Sequence, residues 1–174
     1  MGLLQNAQLF SGLKMNKDLQ GKLFQKYPTI FSRRKLSKQE TAMHYGICCG
    51  DGWYQLIDCL CEKINEIIRS KNIAYENHLA RQEEDDSEEE LTRSWGYERH
   101  PEVKADQVKS KFGGLRFYLH SYNVSSEIKG AISMAEKMSR YICEHTGEQK
   151  ESNEINSRRF LNVLNKQKTE KGET

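Results

Sequence analysis

Basic and aromatic side chains surround a pair of glycines in the middle of the chain. From Gln107 to His120 the sequence reads Gln-Val-Lys-Ser-Lys-Phe-Gly-Gly-Leu-Arg-Phe-Tyr-Leu-His. Lysine and arginine bind phosphate and carboxylate groups, and arginine can do so through two parallel hydrogen bonds. A tyrosine ring offers a surface on which a nucleic-acid base can stack. This composition indicates five candidate ligand- or partner-binding residues: Lys109, Lys111, Arg116, Tyr118 and His120.

The same segment has the pattern of a β-hairpin. Polar and apolar residues alternate on both sides of Gly113-Gly114, and a glycine pair suits a two-residue hairpin turn. Pairing outward from this turn predicts an apolar face with three pairs: Phe112 with Leu115, Ser110 with Phe117, and Val108 with Leu119. The predicted polar face pairs Lys111 with Arg116, Lys109 with Tyr118, and Gln107 with His120. An alternative assignment makes residues 104–111 a helical turn that leads into a single strand.

The predicted pairing opposes two cations on the polar face. Lys111 directly across from Arg116 destabilises a cross-strand pair by roughly tenths of a kcal/mol. A sequence that carries this cost is typical of a surface with an anionic partner. The structural interpretation is a solvated sheet face, neutralised by Glu127 or by the acidic residues between 82 and 90.

The block Cys49-Gly-Asp-Gly-Trp53 is a second candidate site. Its functional interpretation makes Asp51 and Trp53 ligand- or partner-binding residues beside the exposed N–H groups of a helix start. Its structural interpretation makes Asp51 the N-cap of the following helix and Trp53 a core residue, while the glycines shape the turn. The block lacks the Lys-Ser/Thr pair of a P-loop, so it does not indicate hydrolysis of nucleoside triphosphates.

Cysteines and histidines give no pattern typical of a catalytic or metal site. The chain has five cysteines, an odd number that predicts free thiols in a reducing compartment. Cys143 and His145 form half of a zinc site with no evident second half, so they are weak metal candidates. None of the five histidines lies in an HExxH spacing. We therefore predict no catalytic residue and no cofactor, which favours a binding protein over an enzyme.

Three helices are expected around the hairpin. Apolar residues recur with a 3.6-residue period over residues 52–70 and again over residues 124–145. A shorter helix is predicted near residues 17–26, because the residue before Pro28 is disfavoured in a helix. These patterns predict an α+β fold, in which a small antiparallel sheet over residues 103–120 packs on the two longer helices.

The chain length suits one domain, which we expect over residues 15–145. Residues 1–14 are predicted to be an N-terminal extension, with Met15 as an alternative start. A loop over residues 71–102 is predicted to hold the acidic run, in which seven of the nine residues from 82 to 90 are Asp or Glu. Residues 146–174 are predicted to form a polar tail with a short amphipathic helix around 154–166.

Composition excludes several classes of protein. The chain has 27 Lys and Arg against 25 Asp and Glu, a net charge of +2, which excludes polyelectrolyte binding driven by bulk charge. No stretch approaches the roughly 18 consecutive apolar residues of a membrane-spanning helix. The first residues also lack the basic and apolar regions of a secretory signal. We therefore expect a cytoplasmic protein with no membrane partner, and the sequence indicates no particular oligomeric state.

Several blocks of the chain resemble a family of small proteins from bacteriophages and prophages. They are Lys26-Tyr-Pro28 followed by Phe31, the Cys49–Trp53 block, the run Gln107–Tyr118, and the Met134–Cys143 helix. Together they span about residues 15–145. Relatives continue into a zinc-ribbon-like tail opened by a CxxCG element, whereas here Thr146 stands at the second cysteine. The resemblance thus implies a degenerate metal site and carries no known activity.

Two functional hypotheses follow. The leading hypothesis is a non-catalytic, phage-type accessory protein that binds a host protein, for example a defence or nucleic-acid-processing factor, in an infected or lysogenic bacterium. This hypothesis rests on the resemblance and on analogy with other phage accessory proteins. The alternative is binding of an anionic small molecule, such as a nucleotide, or of nucleic acid through the polar face of the hairpin.

Overall fold

The computed structural model describes residues 13–84, 99–121 and 123–150. Its α-helices within these ranges are α1 (Lys17–Lys26), α2 (Tyr54–Glu84) and α3 (Ser126–Met138). Its strands are β1 (Ile47–Cys48), β2 (Ala105–Lys111) and β3 (Gly114–Leu119). Short 3-10 helices occupy Ser32–Lys35, Ala42–Tyr45 and Asp51–Trp53. Within the described ranges, no helix is long and apolar enough to cross a membrane.

The strands form a mixed sheet in the order β1-β2-β3. β2 and β3 make the predicted hairpin, and β1 lies parallel to β2, with Ile47 beside Val108 and Cys48 beside Lys109. The α+β expectation is therefore confirmed, whereas an antiparallel sheet is correct only for the hairpin. β1 has two residues, which is too short to produce an alternating pattern in the sequence.

A buried glutamine fastens α1 to β1. Gln20 Nε2 donates a hydrogen bond to the carbonyl oxygen of Met15 at 2.6 Å, and Gln20 Oε1 accepts one from the backbone N–H of Ile47 at 2.9 Å. Both ends of the amide are thus satisfied, as burial of a polar side chain requires. The predicted bounds of α1 are correct, and the helix ends at Lys26 because the next residue precedes a proline.

α2 is longer than predicted and continues beyond the core. The segment 54–84 contains neither glycine nor proline, so nothing in the backbone interrupts the helix after its partly buried residue Ile68. The predicted loop over 71–102 is therefore wrong for residues 71–84. In this part Ile73 and Leu79 are exposed, and the apolar stripe that predicted the first half no longer marks a buried face. Asn72 Oδ1 accepts a hydrogen bond from the backbone N–H of His100 at 2.9 Å, which ties the returning chain to α2.

α3 is shorter than the predicted 124–145 helix. Ser125 is its N-cap, because its hydroxyl oxygen accepts a hydrogen bond from the backbone N–H of Ile128. The helix ends at Met138, where the buried Ser139 hydroxyl donates to the carbonyl oxygen of Glu136 at 2.7 Å. The predicted continuation to residue 145 is therefore wrong, and Gly147, with φ 80°, shapes a separate turn.

α3 covers the outer edge of β3. The backbone N–H of Leu115 donates to Ser139 Oγ at 2.8 Å, and that of Phe117 donates to Glu136 Oε1 at 3.0 Å. These donors have no neighbouring strand, and two side chains of α3 accept their hydrogen bonds instead. The edge is therefore closed to pairing with another chain.

The core draws on all three helices and all three strands. Phe31 packs edge-on between two other rings, with centroids 5.3 Å from Phe24 and 6.5 Å from Phe117. It therefore joins the first residues of the domain to the hairpin. The largest fully buried side chains include Trp53, Phe31, Met15, Leu23 and Ile30. The remaining predicted elements, residues 1–12, the acidic residues 85–90 and the helix 154–166, lie outside the described residues.

Ser139→Ala tests the edge contact of β3. Loss of the hydroxyl leaves the buried N–H of Leu115 without an acceptor, so we expect the free energy of unfolding in urea to fall by about 1–3 kcal/mol. Ser133→Ala is the matched control, because Ser133 is exposed on the same helix. The control is expected to change the free energy of unfolding by less than about 0.5 kcal/mol. Equal stability of the two variants would contradict the role of Ser139.

Candidate functional site

The face of the sheet that points away from the core carries the candidate ligand-binding residues. Val108, Leu115 and Phe117 are buried, and alternate residues of a strand point to opposite faces. The residues between them therefore form the other face, named here the open face. One residue from each strand lies in the same row on this face: Cys48, Lys109 and Arg116. Its other members are Gln107, Lys111, Tyr118 and, one residue beyond β3, His120.

The hairpin pairs its residues differently from the prediction. Its turn is Phe112-Gly113, with φ values of 53° and 70°, as in a type I′ turn. Lys109 therefore lies opposite Arg116, and Gln107 lies opposite Tyr118. The predicted pair of Lys111 with Arg116 is wrong. Because the pairing moves by two residues and side chains alternate with a period of two, the strand residues keep their predicted faces. Two opposed cations remain on the open face.

Arg140 joins the open face from the loop after α3. A Cβ atom at Gly114 would lie 3.5 Å from Arg116 Nη1 and 3.6 Å from Arg140 Nε. The side chains of both arginines thus converge over this glycine. The hairpin pattern gave no signal for Arg140, because the residue comes from a distant part of the sequence.

The two lysines of β2 are not neutralised by the described part of the chain. Among the described residues, neither Lys109 nor Lys111 has a carboxylate within 4.0 Å. Arg116 Nη1 lies 3.9 Å from Glu136 Oε2, with 22% and 26% of the two side chains exposed. The nearby carboxylate of Asp106 is taken by Arg33 at 2.9 Å. The open face therefore keeps an excess of positive charge.

Glu127, which was expected to neutralise the polar face, pairs with α2 instead. Its Oε1 atom lies 2.9 Å from Lys71 Nζ, and this hydrogen bond lowers the pKa of the Glu127 carboxyl to about 2. Lys14 adds a further cation at the border of the open face. Burial raises the pKa of the Cys48 thiol, and the positive charges of Lys14 and Lys109 partly offset this effect.

Two exposed aromatic rings accompany the lysines. The Tyr118 side chain is 43% exposed, and the Lys109 ammonium lies 5.7 Å from the centre of its ring. Phe112 is 77% exposed, with the Lys111 ammonium 5.2 Å from its ring. The predicted place of Phe112 on the apolar face is wrong, because this residue belongs to the turn. A non-glycine residue in the left-handed region costs roughly 1–2 kcal/mol, so Phe112 is both strained and exposed.

The Cys49–Trp53 block fits its structural interpretation for Trp53 and the glycines but not for Asp51. Trp53 is fully buried, and its Nε1–H donates to the carbonyl oxygen of Ile142 at 3.1 Å. The prediction that Asp51 caps α2 is wrong. Its carboxylate accepts a hydrogen bond from the backbone N–H of Asn16 at 2.6 Å and so holds the start of α1. Trp53 is thus inaccessible to a ligand, and Asp51 serves a contact within the chain.

Gly50 and Gly52 allow the turn after α3 to approach the Cys49–Trp53 block. The backbone N–H of Gly52 donates to the carbonyl oxygen of Glu144 at 2.9 Å, and that of Gly50 donates to Glu144 Oε1 at 3.0 Å. A Cβ atom on Gly52 would collide with backbone atoms of Cys143 and Gly147. The close approach expected at these glycines is therefore made by the chain itself.

Cys143 and His145 lie in that same turn and form no metal site. Among the described residues, no group of three or more Cys, His, Asp or Glu side chains could hold a metal ion. Instead, the backbone N–H groups of Thr146 and His145 lie beside the Cys143 sulfur and lower the pKa of its thiol, while the Thr146 hydroxyl donates its hydrogen bond to Glu148 Oε2 at 3.1 Å. Thr146, at the position of the second cysteine of a CxxC element, thus provides a donor to Cys143.

An apolar groove of about 610 Å³ lies between α2 and α3. Met134 and Met138 of α3 and Leu56, Cys59 and Leu60 of α2 line it. The Met134 side chain is 62% exposed.

Comparison of the chain with protein families, with curated proteins and with solved structures finds no match in any of the three.

Gly52→Ala tests the close contact between the two turns. The added methyl group collides with backbone atoms, so we expect the free energy of unfolding to fall by about 1–3 kcal/mol. Gly130→Ala is the matched control, since a Cβ atom there meets nothing within 4 Å. In the interior of α3 the control is expected to stabilise the protein by up to about 1 kcal/mol. The same sign for both substitutions in chemical unfolding would contradict the packing described here.

Cys143 is expected to react with iodoacetamide at pH 7 faster than Cys49 and Cys61, because burial raises the pKa of these two thiols. Peptide mass spectrometry measures each rate, with the exposed Cys59 as the control. A Cys143 rate no faster than the rates of Cys49 and Cys61 would contradict the lowered pKa of its thiol.

Proposed function

We propose that this protein is a non-catalytic binding protein whose open face holds an anionic, phosphate-bearing partner. The observation that carries the proposal is the excess of positive charge on that face. Lys109 and Lys111 have no ion-pair partner among the described residues, and Arg116 has a distant one. Cations that the fold leaves without counter-charges are available to a ligand.

The geometry of the cations suits phosphate groups. Lys109 and Arg116 are directly opposed across the hairpin, where Cβ atoms are about 4.5–5.5 Å apart, so the two side chains can share one phosphate. Lys111 is two residues from Lys109 on the same strand, about 7 Å away, and can meet a second anionic group. Arg116 and Arg140 converge over Gly114 and add guanidinium groups, which favour bidentate contacts.

The second candidate is the phage-type accessory protein that binds a host protein. The resemblance to phage proteins favours it, and an acidic protein surface would also find cations on the open face. Carboxylates and phosphates accept the same hydrogen bonds from lysine and arginine. The two candidates differ in whether the partner is a phosphate compound or a protein, so a ligand screen separates them.

Lys109→Ala/Lys111→Ala tests the proposed function in a thermal-shift screen of nucleotides, single-stranded oligonucleotides and duplexes. We expect a phosphate-bearing compound to raise the melting temperature of the wild type, because a ligand stabilises the state that binds it. The double variant should lose at least half of that shift. Lys22→Ala/Arg69→Ala removes two exposed cations from α1 and α2 and is the matched control, expected to keep the shift.

The outcomes separate the two candidates. A shift that both double variants retain would place the ligand away from the open face and overturn the proposal. If no phosphate compound shifts the wild type while a host protein co-purifies with it and is lost in Lys109→Ala/Lys111→Ala, the partner is a protein and the second candidate replaces the first.

A further inference from the structure

We infer that the partner of the open face is single-stranded nucleic acid, held by base stacking as well as by charge. This inference deepens the proposed function and rests on it. The open face presents two ring–lysine pairs, Tyr118 with Lys109 and Phe112 with Lys111. Each pair combines a ring that can stack on a base with a cation that can meet the adjoining phosphate, which is the combination used by proteins that bind single strands.

Phe112 is the residue that favours a ligand with a base over a simple anion. It is 77% exposed, and it occupies a left-handed backbone position that asparagine or glycine would adopt with less strain. The ring packs on no core residue that would compensate for this exposure, because the turn lies at the tip of the hairpin. A free phosphate ion or a carboxylate gains nothing from the ring, whereas an unstacked base does.

The distance between the rings favours a strand over a mononucleotide. Tyr118 pairs with Gln107, and four residue steps separate Gln107 from Lys111 at the end of β2, so Tyr118 lies about 14 Å along the hairpin from the turn that holds Phe112. Bases that are splayed apart to stack on the rings are spaced more widely than the roughly 3.4 Å of a stacked strand, so this distance corresponds to about four nucleotides or fewer. A mononucleotide can therefore use one ring–lysine pair, and an oligonucleotide of about four residues or more can use both.

A duplex uses this face less well than a single strand. In a duplex the faces of the bases are covered by their neighbours, so exposed rings cannot stack on them, whereas the bases of a single strand can be splayed apart. The net charge of +2 also provides little of the long-range attraction that would compensate for lost stacking. The local contacts of the open face must therefore supply the affinity.

The experiment measures fluorescence anisotropy of labelled (dT)20, (rU)20, a 20-base-pair duplex and ATP with the full chain. We expect both single strands to bind at least tenfold more tightly than the duplex, and the DNA and RNA arms distinguish the sugar that is preferred. Shortening the strand from eight nucleotides to two, which cannot reach both rings, should weaken binding at least tenfold. Tyr118→Leu should lower the affinity for (dT)20 by roughly 5-fold or more without changing its salt dependence. Lys109→Ala/Lys111→Ala should instead reduce the slope of log affinity against log salt by about 1.4.

Phe112→Asn separates binding from folding. Asn-Gly is a preferred type I′ turn, so this variant is expected to be at least as stable as the wild type while its affinity for (dT)20 falls several-fold. Met134→Ala removes an exposed apolar side chain from α3 and is the control, with unchanged affinity. Equal binding of duplex and single strand, together with unchanged affinity in Tyr118→Leu and Phe112→Asn, would overturn the inference but leave the proposed function intact. Absence of binding to every probe would overturn both.

Discussion

The outer edge of β3, which pairs with no strand of the described chain, is the constraint on which the candidate binding face depends. Its backbone N–H groups need acceptors, and α3 supplies them through Ser139 and Glu136. Once these contacts form, the position and rotation of α3 relative to the hairpin are set, and the chain must turn directly after Met138. That turn brings Arg140 over Gly114 and the 143–147 segment onto the Cys49–Trp53 block. The place of Arg140 on the open face and the packing of the two turns thus share one structural cause.

The Cys49–Trp53 block illustrates how a tightly specified motif can be structural. Every polar group that suggested a ligand site has a partner within the chain: the Asp51 carboxylate binds Asn16, and the Gly50 and Gly52 N–H groups bind Glu144. Glycine is required there because another part of the backbone occupies the space that a Cβ atom would need. By contrast, the cations of the open face have few partners within the described chain. We therefore favour the open face as a site because its cations have few partners, although the Cys49–Trp53 block is the more tightly specified motif.

Alternation along the hairpin was enough to predict which strand residues share the open face, because that assignment survives a shift of two residues in pairing. The pairing itself depends on which two residues of the turn adopt positive φ. The glycine pair predicted a turn at Gly113-Gly114, whereas the turn lies at Phe112-Gly113. Arg140 and β1 could not be predicted from local patterns, since one comes from a distant loop and the other has two residues. The full length of α2 was missed because its second half lacks a buried stripe, although the absence of glycine and proline indicated that the helix could continue.

Within the described ranges, the open face remains positive because the groups beside its cations do not neutralise them. Glu136 divides its carboxylate between the N–H of Phe117 and the guanidinium of Arg116, and it stands 3.9 Å from the latter. The aromatic rings near Lys109 and Lys111 attract the ammonium groups through their quadrupoles but carry no net charge. These contacts hold the lysines in place without cancelling their charge. Binding of an anion therefore replaces repulsion between opposed cations with attraction. Because the rings already hold the side chains of Lys109 and Lys111, part of the entropy cost of ordering them is met in the free protein.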